Sequence, residues 1–121
     1  MYHINNSDFQ ILSKYKNYLK VLEDALENVP RKDLYFKDLI RNKSYEILQY
    51  ILECSYEEDT VKVLGYRTSI RADIAMVDFL IDRMYDKAYI SEKMANKLSL
   101  LLIEINKMIL GLISNLVRNE C

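Results

Sequence analysis

Apolar residues recur every three to four positions in four long stretches, separated by short polar breaks. This pattern predicts four amphipathic helices. The first is expected over about residues 8–27, with Phe9, Leu12, Tyr15, Leu19, Leu22 and Leu26 on its inner face. Ser7-Asp8-Phe9-Gln10 matches a capping box at its start, and Pro30 predicts its end near Asn28. The second spans about 33–54 and turns Phe36, Ile40, Ile47, Ile51 and Cys54 inward. The acidic connection Ser55 to Asp59 suits the positive start of a third helix over about 60–86, whose inner face carries Val63, Ile70, Ile74, Val77, Ile81 and Met84. The fourth runs over about 91–117, capped by Ser91. No alternating strand pattern competes. Short connections between long helices predict one domain over residues 1–121: an all-α, antiparallel up-down-up-down four-helix bundle.

The fourth stretch departs from a simple bundle helix. Met94, Leu98, Leu101, Leu102, Ile105, Met108, Ile109, Leu112, Ile113 and Leu116 form one broad apolar stripe. Ile103, Leu110 and Val117 form a second line at seven-residue spacing, with Leu100 close by and Gly111 beside Leu110. One stripe fills a core; the other requires a partner, because soluble monomers rarely expose contiguous apolar strips. The expected oligomer interface is Leu100, Ile103, Leu110, Gly111 and Val117.

Composition sharpens this picture. A chain of 121 residues with 50% hydrophobic content supports a single core, and two Gly and one Pro leave few breaks. The formal charge of −1 exerts no global pull toward phosphate. Glu104 and Lys107 interrupt the most apolar segment, so no membrane span is expected. Two cysteines make no disulfide framework, and the N-terminal residues lack the pattern of a secretion signal; a cytoplasmic location is expected.

Candidate chemistry is sparse. His3 is the single histidine, Cys54 falls on a core face, and Cys121 ends the chain. No ExxH pair marks a di-iron bundle, and no glycine-rich phosphate loop exists. Asp73, Asp78, Asp82 and Asp86 scatter around their helix. No enzyme activity, metal, cofactor or small-molecule substrate is expected. Arg67, Arg71, Asp78 and Asp82 share a stripe on the third helix, which reads as a solvated face, as a grip for phosphate or carboxylate, or as a contact between protomers. Arg31 and Lys32 follow Pro30, with Lys37 and Arg41 one helical turn apart beyond them. These six cations are the candidate nucleic-acid or partner contacts. Lys14, Lys16 and Lys20 interleave with Tyr15 and Tyr18, a mixture that can bind single strands, although Tyr15 falls in the core stripe.

Asn28-Val29-Pro30-Arg31-Lys32-Asp33 resembles the I/V-P-R/K-K motif opening the second helix of the accessory variability determinant proteins of diversity-generating retroelements. Ile70 to Leu80 is similar to that family's third helix. Tyr89-Ile90-Ser91-Glu92-Lys93 and Glu104 to Ile113 resemble its link and its final helix. The likeness covers about residues 15–117. It implies a homopentameric ring of four-helix protomers that binds a reverse transcriptase and its template RNA and supports mutagenic cDNA synthesis without being the polymerase. Arg31, Lys32, Arg67 and Arg71 are the positions it carries over as basic contacts. The alternative is a bundle of the kind encoded by intervening sequences in ribosomal RNA genes, acting only as a protein-interaction module.

Overall fold

The computed structural model describes residues 6–120, so His3 and Cys121 lie outside the described residues. All regular structure among them is helical: α1 Asn6–Leu26, a 3-10 turn Arg31–Asp33, α2 Leu34–Tyr56, α3 Thr60–Asp86 and α4 Glu92–Glu120. The four helices pack in cyclic order, each backbone against two neighbours, with α1 beside both α2 and α4, while α1 and α3 meet across the diagonal through the side chains of Asp8 and Arg67.

The helix ends follow from local chemistry. Asp59 accepts the Val61 N–H at 3.0 Å and starts α3, and Ser91 accepts the Met94 N–H at 3.1 Å and starts α4. Two ends differ from expectation. Helix α1 already includes Asn6 and Ser7, so Ser7 is not its cap. Its first turn is pinned by Asp8, buried against Arg67 of α3 at 3.5 Å. Asp33 precedes α2 but caps nothing. Its carboxylate instead accepts from Lys87 at 2.9 Å and Tyr89 at 2.7 Å, clipping the α1–α2 turn onto the α3–α4 turn. These two donors, Lys87 first, hold the Asp33 carboxyl below its usual range.

Helix α3 ends in a Schellman motif. Tyr89 N–H bonds Met84 C=O at 3.0 Å and Ala88 N–H bonds Tyr85 C=O at 2.9 Å. This places Ala88 at φ 63°, in the left-handed region that favours glycine.

The inner faces of α2 and α3 are those the spacing predicts: Phe36, Ile40, Ile47, Ile51 and Cys54 on one, Val63, Ile70, Ile74, Val77, Ile81 and Met84 on the other. The α1 face is rotated from expectation. Phe9 is 58% exposed, while Ile11, Tyr18 and Ala25 are buried. Rotation is stabilised by a polar layer: Tyr15 OH donates to the Ser44 carbonyl and Tyr18 OH pairs with Ser44 Oγ at 3.1 Å. Burial drives both phenol pKa values well above the ordinary range. With both rings inside, neither tyrosine is available to stack a base beside Lys16 and Lys20. Burial also pushes the Cys54 thiol up to about 11, so at neutral pH it is a core thiol and not a thiolate nucleophile.

The expectation about membrane spans needs correction. By length and composition alone, Glu92–Arg118 is apolar enough to cross a bilayer, because the surrounding apolar residues outweigh Glu104 and Lys107. In the bundle, its inner residues Leu98, Leu102, Ile105 and Ile109 are buried against the other helices.

Candidate oligomer and nucleic-acid interface

The broad stripe and the narrow line of α4 separate in space. Leu98, Leu102, Ile105 and Ile109 are buried, whereas Leu100 (61%), Ile103 (46%), Leu110 (42%) and Val117 (46%) stay exposed. Gly111 is exposed as well but borders the α1–α4 groove with Ser7, Gln10 and Ile11, and a Cβ built there would meet no atom within 4 Å. Ile103 closes one side of a shallow groove of about 230 Å³ between α3 and α4, floored by Ile74 and Leu102. Polar groups rim it: Arg71 Nε donates to Asn106 Oδ1 at 3.3 Å, and Ser99 Oγ donates to Asp78 Oδ1. The expected interface residues Leu100, Ile103, Leu110, Gly111 and Val117 are thus all exposed within a single chain.

The six basic candidates divide. Arg31 and Lys32 stand exposed on the 3-10 turn, with no carboxylate within 4 Å among the described residues. Lys37 is half-buried and likewise has no ion pair. Arg41 is held at 3.5 Å by Glu23 and at 3.6 Å by Asp38. Arg71 is exposed and keeps part of its guanidinium free.

Arg67 must be withdrawn as a surface contact. Its side chain is buried against Asp8, and its Nε has no partner. It lies on the same angular stripe as Arg71, but at its level that stripe meets Asp8 of α1, whereas Arg71 and Asp82 further along remain exposed. The third-helix pair also stands apart from the loop tip. The Asp33–Lys87 clip sets that tip level with the end of α3, and sixteen residues of helix from Lys87 to Arg71 rise about 24 Å.

Three features were missed from sequence. The first is the Asp33 clip, which needs two turns 54 positions apart to meet; Lys87 also sits 4.8 Å over the Phe36 ring. The second is a carboxylate pair on the α2–α3 seam. Asp73 lies 3.6 Å from Lys43, which also binds Glu46 at 3.0 Å, and Asp73 Oδ2 is buried without a donor. Burial first, and the neighbouring Glu46 second, raise the Asp73 pKa to about 6, while its hydrogen bond to Asp73 and then Lys43 lower that of Glu46. Below about pH 6 a proton held between the two carboxyls supplies the donor that Asp73 Oδ2 otherwise lacks. The third is the outer face of α3, where Val61 (74%) and Phe79 (59%) are exposed. Seven-residue spacing is its only sequence signal, because small residues fill most of it.

Among the described residues, no three His, Cys, Asp or Glu side chains gather as metal ligands. A depression of about 870 Å³ opens at the α3–α4 turn beside Asn28, Tyr85, Ala88 and Met94 and contains none of the expected site residues. The sequence matches no family model and no curated protein.

Proposed function

We propose that this chain is a non-enzymatic, cytoplasmic accessory scaffold of a diversity-generating retroelement. It assembles with its own copies and binds a reverse transcriptase and template RNA to support mutagenic cDNA synthesis. The observation carrying the scaffold reading is the exposed line Leu100, Ile103, Leu110 and Val117 on a helix whose other face is already spent on the core. An up-down-up-down course is supported by pairs such as Tyr18 with Ser44, Lys43 with Asp73 and Lys14 with Glu104. The pentameric ring, the reverse transcriptase and the RNA rest on the resemblance of the Pro30 turn, the third helix and the final helix. Arg31 and Lys32 are the leading RNA contacts, with Lys37 and Arg71 beside them in rank.

A salt series tests the RNA contact. Few phosphates would be neutralised, so affinity should be modest, fall steeply with salt, and drop further in Arg31→Glu/Lys32→Glu. Absence of binding to structured RNA at low salt, together with no binding to a cognate reverse transcriptase, rejects the retroelement role. The second reading, a helical oligomer that binds only protein, is favoured by one observation: Arg41 and Arg67 are already engaged by carboxylates of their own chain. It predicts assembly without any RNA affinity.

A further inference from the structure

We infer that the outer face of α3 is the receiving surface for α4 of another copy of this chain, in a closed assembly whose rotation axis runs parallel to the helices. This inference rests on the reading of α4 as an assembly face and adds what that face touches. Val61, Gly65, Thr68, Ala72, Ala75 and Phe79 follow the alternating four- and three-residue spacing of a coiled-coil seam, and every one of them is exposed. Charge is absent from that line until Asp82. Beside it, Met76 is also exposed. The α4 line has the same spacing but is bulkier: Leu100, Ile103, Leu110 and Val117, with Lys107 and Ser114 between them.

Register selects the occupant. Within one chain, Arg71 bonds Asn106 and Asp78 bonds Ser99, so position i of α3 lies level with position 177 − i of α4. Rotation about an axis parallel to the helices leaves every height unchanged, so α4 of a neighbouring copy arrives in that same register. At that register, to within one or two residues, the two seams match along their whole length. Thr68 meets Leu110 and Ala75 meets Ile103, small against large. Val61 meets Val117 at one end, and Phe79 meets Leu100 toward the other. One or two residues correspond to about 1.5–3 Å of slide.

Charge agrees at both ends. Asp82 comes level with Lys97, and Asp59 with Arg118; none of these four has an ion pair in its own chain among the described residues. Lys62 is the one cation at the latter end, beside Glu57, Glu58 and Asp59. A partner lacking this spacing would gain none of these matches, so a second copy is the occupant favoured over a foreign helix.

Cross-linking between differently tagged chains tests the pairing, in a Cys121→Ser background with Cys54 left buried. Thr68→Cys and Leu110→Cys chains, mixed and oxidised, should give a mixed disulfide dimer in at least tenfold excess over the Leu110→Cys homodimer. A dominant Leu110→Cys homodimer would show α4 packing on α4 and overturn the inference. So would the absence of cross-links in a chain that still sediments as an oligomer, although α4 would then remain an assembly face. A wild-type chain that runs at single-chain mass overturns the inference together with the assembly reading beneath it. Ala72→Glu supplies a second check: helicity should be kept while the assembly falls to 14.4 kDa chains, and an unchanged mass counts against the α3 surface.

Discussion

Replacing Ala88 with glycine should stabilise the protein, an unusual sign for a substitution that removes a side chain. Ala88 occupies the left-handed position of the Schellman motif at φ 63°. An L-residue with a Cβ pays about 1–2 kcal/mol there relative to glycine, through contact of the Cβ with the carbonyl oxygen. Glycine gives back about 0.5–1 kcal/mol by enlarging the conformational freedom of the unfolded chain. The two motif hydrogen bonds, from Tyr89 to Met84 and from Ala88 to Tyr85, are backbone bonds and persist in the variant. The side chain is exposed, so no packing is lost. The net expectation is a gain of about 0.5–1 kcal/mol, or roughly 2–4 °C in melting midpoint for a chain of this size. Urea melts and calorimetry of Ala88→Gly measure it, with Lys16→Gly on the exposed middle of α1 as a control that should lose about 0.7–1 kcal/mol. A midpoint for Ala88→Gly that is unchanged or lower, with the control behaving as stated, would refute the reasoning.

Three further outcomes follow from the buried polar groups and the outer seam. Asp73 titrates near 6 in the fold and near its ordinary value when unfolded, so the folded state holds the extra proton between those values. Stability should therefore decline as pH rises from about 4 to about 6, by on the order of 2 kcal/mol, while the lowered carboxyls of Glu46 and Asp33 act in the opposite direction below their ordinary values. Urea melts of Asp73→Asn across that window should show the slope flattened; an undiminished slope means that another group carries it. Arg67→Met removes the cation paired with the buried Asp8 carboxylate and should cost about 3–4 kcal/mol, with part recovered in Asp8→Leu/Arg67→Met. Equal loss in the single and double variants would show that the pair contributes nothing specific. Leu110→Glu should leave helicity by circular dichroism within about a tenth of wild type, since the residue is outside the core, and a collapse of helicity would place it inside.

Residues whose role is set by local period were legible from sequence. Ile40, Ile47 and Ile51 on α2, Ile70 to Met84 on α3, the Ser91 cap and the two faces of α4 all follow from spacing alone. Residues whose role depends on a distant partner were not. Tyr18 is buried because its hydroxyl finds Ser44 across the bundle, and Arg67 turns inward because Asp8, 59 positions away, meets it there. Phe9 illustrates the converse, since a one-step rotation of α1 toward that polar layer carries a large ring into solvent. The Asp33 clip likewise joins the Pro30 turn to Lys87 and Tyr89, a contact no local spacing announces. The outer line of α3 escaped notice because Gly65, Thr68, Ala72 and Ala75 contribute little hydrophobicity. Its uniform exposure shows only once the bundle is assembled.

The claim on which the scaffold, the ring and the α3–α4 pairing all depend is that α4 presents its outer line to another copy. The most direct measurement is the solution mass of wild type and Leu110→Glu by light scattering coupled to size exclusion. The wild type should elute at a fixed multiple of 14.4 kDa, five-fold for the ring, and Leu110→Glu should elute as a folded single chain. A wild type that remains a single chain at high concentration, or a Leu110→Glu variant that keeps the wild-type multiple, would contradict it.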